Sequence, residues 1–501
     1  MPLLLRLPIL VFCLFKLMVM CTAPLYIKNN SVYKSYLHSF KGYEVPCGRC
    51  DECRNTYISE WRTRISFELS NLYSRGGCAV FLTFTYNDEH LPLFSDGDFS
   101  IHCFNHKDVK TFLNRLKVSC YRAFGANSYK YFFTSEYGKT TCRPHYHGLF
   151  FLQPWVDYVK FTELARSVWS YGFMFPKFDI HQNKYVDNSG STSTPLIRSL
   201  VGGAKYVSKY VTKDLSFYDL PSVSSYIADK DNKDKMRPYL PKHWQSNLLG
   251  LSILDSVNLF DSVSVERALN DGIVNPLTFD VVSCPRFIIN KLLYKNVKSN
   301  RISPTSGKYL YDRYLSDFGR KYMHSIFKFR AYKFANKISE VLQIGFSDPM
   351  RFKLCGIDVN RFRSIGLTTQ FLPQDCLPLS VYHLFWKMAS TPMLKSFLSR
   401  YSGDVSALYD IDKVFPFWLK AKDTEFLKKH STDYLLRFDN VYRCDDSLYN
   451  RLFSDLSLFH DVFKDISISL SLERTKYFNQ KQDEVDTFKK KYFSRFDPTL
   501  C

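Results

Sequence analysis

A chain of 501 residues that is 45% hydrophobic and 17% aromatic can bury a sizeable core, which excludes a disordered or fibrous protein. Its 68 Lys plus Arg against 48 Asp plus Glu give a formal charge of +20, so the expected partner is a polyanion, either nucleic acid or an anionic membrane surface. The 14 cysteines are spread along the chain, which favours reduced thiols in a cytosolic setting over a disulfide framework, and the length suggests roughly two to four domains.

The opening segment MPLLLRLPILVFCLFKLMVMCTA has the apolar run and small-residue end, near Ala23, of a signal peptide. Arg6 and Lys16 interrupt it, and the uncharged run between them is too short to span a bilayer. The competing reading is that translation starts at Met18 or Met20 and residues 1–19 are an extension. No later segment reads as transmembrane. Residues 20–75 form an N-terminal segment that carries Cys47-Gly48-Arg49-Cys50-Asp51-Glu52-Cys53. That spacing can present the thiolates of Cys47, Cys50 and Cys53 to a structural Zn²⁺, with a fourth ligand from elsewhere; the plainer reading is reduced cysteines near a turn.

Trp61 to Leu72 is amphipathic and predicts a helix. Ala79 to Pro92 reads as a strand ending in a turn, with Thr83 and Thr85 on one face. Val109, Phe112, Leu113 and Leu116 then recur at helical spacing behind Asn105, a residue suited to an N-cap. Tyr129 to Gly138 and the run RPHYHGLFFL, Arg143 to Leu152, predict two further strands. The order implies an α+β domain with helices packed on one face of an antiparallel sheet.

Side chains alternate along a strand, so His145 and His147 share a face and can share one ion. The bland alternative is a strand edge with polar residues and no ligand. Pairing of the two strands around Gly138 would bring Glu136 near both imidazoles.

A polar loop, Val186 to Pro195, precedes the helical stretch LIRSLVGGAKYVSKYVTKDL. At helical spacing Val201, Ala204, Val207 and Val211 fall on one side and Tyr206, Lys209, Tyr210 and Lys213 on the other. Taken alone, that helix could equally carry two ordinary half-buried tyrosines. The charged run Ala228 to Pro238 reads as a linker, and residues 236–501 read as a mainly helical C-terminal region. Within it, Phe318 to Phe334 interleaves aromatics with Arg320, Lys321, Lys328, Arg330 and Lys333. That composition suits a groove that tracks a phosphate backbone and stacks bases, and it equally suits a basic amphipathic helix.

The order FLTFTY, RPHYHGLFF, YVSKYVTK resembles the three motifs of the HUH endonucleases, specifically the two-tyrosine class that initiates rolling-circle replication. With VPCGRCDECR, LTFTYNDEHLP and EYG, the stretch from Met20 to Gly250 looks like the replication initiators of single-stranded DNA microviruses of the gokushovirus type. The opening MCTAPLYIKN is similar to the start of that family, which supports the start at Met20. The resemblance implies an HUH domain of split ferredoxin-like fold over residues 76–235. It implies Mg²⁺ or Mn²⁺ on His145 and His147, with Glu136 as the candidate third ligand. Tyr206 and Tyr210 would be the nucleophiles, accompanied by Lys209 and Lys213. The substrate would be single-stranded or supercoiled viral DNA, nicked at the origin with a 5′-phosphotyrosine link. The setting would be the host cell cytoplasm, with host helicase and replication machinery as partners and no membrane. The chain departs from the family after the tyrosines, where the expected Pro- and Gly-rich stretch appears only as RPYLPKHWQSNLLG. The alternative from a different class is a non-catalytic, basic, zinc-containing nucleic-acid-binding protein.

Overall fold

The computed structural model describes residues 21–28, 42–138, 143–187, 190–204, 217–218, 220–302, 307–347 and 397–422, with isolated positions at 374–384 and 468–487. Contacts divide the chain into two units, residues 55–288 and residues 1–54 with 289–501. At the N-terminus, Leu25–Lys28 (β1) pairs antiparallel with Gly42–Val45 (β2), Leu25 opposite Val45. The helix Asp51–Ser74 (α1) follows. It has no internal Gly or Pro, and Asp51 and Glu52 in its first turn complement the positive end of its dipole. It ends where Gly76 takes φ +81°, a left-handed value that a side chain disfavours.

The centre of the 55–288 unit is a sheet of Cys78–Tyr86 (β3), Tyr129–Tyr137 (β6), Pro144–Leu152 (β7), Gly172–Phe175 (β8) and His243–Gln245 (β11). The missing numbers are two small hairpins, Leu93–Asp96 (β4) with Phe99–His102 (β5), and Lys177–Asp179 (β9) with Lys184–Val186 (β10). The strand order is β11-β6-β7-β3-β8 and every pairing is antiparallel. Within Ala79 to Pro92 the strand ends at Tyr86 and the expected turn follows, where Asn87 Oδ1 accepts from the His90 N–H.

His106–Phe124 (α2) buries Val109, Phe112, Leu113, Leu116 and Cys120, and Asn105 caps it by accepting from the Lys107 N–H at 2.9 Å. With Tyr158–Val168 (α3), it covers one face of the sheet, where Phe84 and Phe133 meet Phe112 and where Phe150 meets Phe161. Helices do not stay on that face, as the sequence suggested. Trp61, Ile65, Leu69 and Leu72 of α1 pack the opposite face against Phe132, Leu149 and Phe151. The reason lies in β7, whose residues from Tyr146 onward are all buried: a central strand apolar on both sides needs cover on both sides.

Arg64 and Glu68 lock α1 to the chain beyond β11. The Arg64 guanidinium donates from Nε and Nη2 to the Leu249 carbonyl at 3.0 and 2.7 Å and lies 3.9 Å from the Trp61 ring centroid. Glu68 accepts from the Gly250 N–H and from Lys130 Nζ.

Ala228–Pro238 is not a linker. Asp229 accepts from the N–H groups of Asp231 and Asn232 and caps the helix Lys230–Met236 (α4), whose Met236 is fully buried in the core. The charges face outward while the one apolar residue points in, and β11 then pairs with β6, so the sheet is completed from beyond residue 235.

The C-terminal part is only partly helical. Tyr294–Ile302 and Tyr309–Leu315 form a two-stranded hairpin that the sequence reading missed, ahead of the helices Asp317–Ser347 (α5) and Ile411–Lys422 (α6). On α5, Arg320, Lys321, Lys328, Arg330 and Lys333 are exposed while Tyr322, Phe327 and Phe334 are buried, Phe327 against Phe415 and Trp418. The segment is an amphipathic helix with its basic residues on the exposed side, and burial removes those three aromatics from any base-stacking role. Among the described residues, no helix is long and apolar enough to cross a membrane.

Candidate metal centre

The pairing register assembles the centre. His147 lies opposite Thr134 on β6 and Thr83 on β3, and His145 lies opposite Glu136 on β6 and Thr85 on β3. Cross-strand partners share a face, so Glu136, His145, His147 and Thr83 project from the same side of three adjacent strands. The ligand atoms of Glu136, His145 and His147 all lie within 4.8 Å of one another. Glu136 Oε2 is 2.7 Å from His147 Nε2 and 3.4 Å from His145 Nε2. The rings are almost perpendicular, at 85°, with centroids 5.0 Å apart. Side-chain exposure falls from 22% at His145 to 12% at Glu136 and 7% at His147, so the centre opens at the His145 end.

The far nitrogens fix the rings. His147 Nδ1 is 3.0 Å from Thr83 Oγ1, and Phe81 stacks on the His147 ring at 5.4 Å with an interplanar angle of 13°. His145 Nδ1 is 3.3 Å from the Arg143 carbonyl oxygen, which can only accept, and the neutral tautomer with its proton on Nδ1 has Nε2 as its ligand atom. In that tautomer the Nε2 lone pair faces the Glu136 carboxylate, 3.4 Å away. Two acceptors turned toward each other are stabilised by a cation between them, and this donor set of two imidazoles and one carboxylate suits a divalent ion such as Mn²⁺, which tolerates nitrogen ligands better than Mg²⁺ does.

The other face of β7 is anchored by the residue between the histidines. Tyr146 is fully buried; its hydroxyl lies 3.1 Å from that of Tyr86 and accepts from the Asn105 N–H at 3.0 Å. Tyr86 in turn donates to Asp108 Oδ2. Burial pushes the Tyr146 and Tyr86 phenols well above their usual range, so both keep their protons, and it also raises Asp108, which accepts from Tyr86. The network ties the start of α2 to the strand that carries the histidines.

Of the residues singled out in the sequence, Glu136, His145 and His147 come together as one group. Tyr206, Lys209, Tyr210 and Lys213 lie outside the described residues. Residues 200–204, just ahead of them, are helical, and there Ala204 is buried while Val201 is exposed, so Val201 does not share the packed side. Gly203 sits where an added Cβ would lie 2.5 Å from Ile197 Cγ2, which sets the buried side of that turn. Cys47, Cys50 and Cys53 also come together, joined by Cys21. Sequence reasoning missed Cys21 because nothing in its spacing marks it, and it noted Thr83 on a strand face without giving it a role.

Residues 79–215 match the family model described as replication-associated protein ORF2/G2P, a span that includes Glu136, His145, His147, Tyr206 and Tyr210. The chain is similar to the replication-associated protein ORF2 of Spiroplasma virus 4, 29% identical over 176 residues, covering 35% of this chain and 50% of that protein. It is similar to the replication-associated protein VP4 of Bdellovibrio phage phiMH2K, 29% identical over 179 residues, covering 35% of this chain and 50% of that protein. The chain thus spans about half the length of the curated relatives it matches. No solved structure matches.

Proposed function

We propose that this chain is a rolling-circle replication initiator of the HUH type, which nicks single-stranded or supercoiled viral DNA at an origin and holds the cut end as a 5′-phosphotyrosine. The observation that carries the reading is the Glu136 carboxylate set 3.4 and 2.7 Å from Nε2 of His145 and His147, in a span similar to replication-associated proteins. A divalent cation held by these three side chains supplies Lewis-acid polarisation of a phosphodiester oxygen.

The chain's own groups do the rest. The hydroxyl of Tyr206 or Tyr210 attacks phosphorus and gives up its proton, the phosphorus–O3′ bond breaks, and the departing 3′ oxygen takes a proton. Lys209 and Lys213 offset the charge on the phenolate and the phosphate. One phosphodiester replaces another, so a 3′-hydroxyl can reverse the reaction and rejoin strands without ATP. A second tyrosine four residues on lets a second cut be made while the first end is held. The more open His145 end of the centre is the side from which a DNA phosphate can approach.

Incubation of the full chain with labelled single-stranded DNA of its own replicon and Mn²⁺ or Mg²⁺, followed by a denaturing gel and mass spectrometry, tests the reading. A metal-dependent adduct on Tyr206 or Tyr210 is expected. Absence of an adduct with every metal, beside an active related enzyme as control, replaces the reading with a non-catalytic, zinc-containing nucleic-acid-binding protein.

A further inference from the structure

The second group of metal-ligating side chains lies outside the nicking chemistry. β1 and β2 form a separate two-stranded sheet whose open end brings Cys21, just before β1, to Cys47, just after β2. The Cys47 N–H donates to Cys21 Sγ at 3.1 Å across 26 residues of chain. Gly48, at φ +73°, turns the chain so that the N–H groups of Arg49 and Cys50 donate back to Cys47 Sγ at 3.3 and 3.2 Å. Cys50 precedes α1 and Cys53 is in its first turn. All four sulfurs lie within 4.8 Å of one another.

The distances discriminate between the two ways such sulfurs can be joined. Cys50 Sγ and Cys21 Sγ are 3.8 Å apart, far beyond the S–S bond of about 2.05 Å. A tetrahedron with metal–sulfur bonds of about 2.3 Å has sulfur–sulfur edges of about 3.8 Å. Neutral thiols are weak acceptors, whereas backbone N–H groups aimed at sulfur are the arrangement that stabilises thiolates. Four sulfurs leave no open position for water or substrate, which marks a closed, structural site.

We infer that Cys21, Cys47, Cys50 and Cys53 bind one Zn²⁺ as a four-thiolate site, with Cys21 as the fourth ligand, and that this ion fastens the β1–β2 hairpin to the start of α1. Binding replaces four thiol protons with one Zn²⁺, releases four H⁺ and leaves a complex of charge −2. Arg49 directly precedes Cys50 and Arg54 directly follows Cys53 in the sequence, which puts positive charge beside that complex. The hairpin needs the clasp: its strands are four residues each, and an isolated two-stranded hairpin is marginal in water. The inference stands apart from the reaction at the histidines, because soft thiolates select Zn²⁺ while the histidine–glutamate centre suits harder ions.

The test uses the full chain purified under reducing conditions, dialysed against EDTA and analysed for metal, then reloaded with Co²⁺ for optical spectroscopy. About one zinc per chain that survives dialysis and is released by a mercurial is expected, with the spectrum of Co²⁺ in four thiolates after reloading. Cys21→Ser is expected to lose the zinc, while Cys78→Ser, a cysteine outside the group, keeps it. Because Cys21→Ser can fail by misfolding, Cys21→His is the second variant: it keeps a ligand and shifts the Co²⁺ spectrum to that of three thiolates and one imidazole. The inference is overturned if the wild type holds neither Zn²⁺ nor Co²⁺. It is equally overturned if Cys21→Ser keeps a full zinc complement with an unchanged Co²⁺ spectrum, or if the four cysteines are recovered as disulfides.

Discussion

Thr83 Oγ1 lies 3.0 Å from Nδ1 of His147, the ring nitrogen turned away from Glu136. The hydroxyl holds the imidazole in the orientation that presents Nε2 to the centre, and loss of such a partner usually costs about 10- to 100-fold in metal affinity. Thr83→Val keeps the shape and strand preference of the residue and removes only the hydroxyl. Mn²⁺ affinity, followed by the electron paramagnetic resonance of free Mn²⁺, is expected to fall by about that factor with DNA binding unchanged. Unchanged Mn²⁺ affinity would remove Thr83 from the centre.

Glu136→Gln and His147→Ala address the proposed ligands themselves. Both are expected to abolish metal-dependent cleavage while leaving retention of single-stranded DNA in a gel shift near the wild-type level, since the +20 chain still attracts a polyanion. Equal loss of cleavage and binding would point to damage to the fold.

For the tyrosines, Tyr206→Phe and Tyr210→Phe are each expected to leave part of the nicking activity if the two alternate, and the double substitution is expected to remove it. Full nicking by the double variant would sink the phosphotyrosine mechanism.

Tyr146→Phe strips the acceptor from the Asn105 N–H and a partner from Tyr86 in a fully buried network. Leaving such groups unsatisfied costs about 1–3 kcal/mol, which urea denaturation can read as a lower midpoint at constant slope. An unchanged midpoint would show that the pair on this face contributes nothing to stability.

His243 gives a pH dependence. Burial, with the Arg64 and Lys242 charges adding to it, holds this imidazole down to about 4 from an ordinary 6.5. The unfolded chain therefore binds the extra proton between those values, and stability falls as the pH drops from about 6.5 toward about 4, by on the order of 3 kcal/mol in all. Compared with the wild type, His243→Gln, which cannot titrate, is expected to show a stability gap that changes across that window. A gap that stays flat from neutral pH to pH 4 would contradict the neutral state of this half-buried imidazole.

The sequence by itself determined several local elements of the 55–288 unit, among them α1, β3, α2, β6 and β7, and the shared face of His145 and His147. Asn105 capping a helix with Val109, Phe112, Leu113 and Leu116 inside, and His145 with His147 on one strand face, follow from periods of 3.6 and 2 that near neighbours enforce. The tertiary structure decided what depends on distant pairing. It brought Cys21 to Cys47, closed the sheet with His243–Gln245, and set α1 against the second face of β7. It also turned the aromatics of α5 inward. Register and burial partners arise between segments far apart in the chain, where side-chain periodicity carries no information about which surfaces meet. A lone cysteine or a short polar strand has no local signature until its partner is in place.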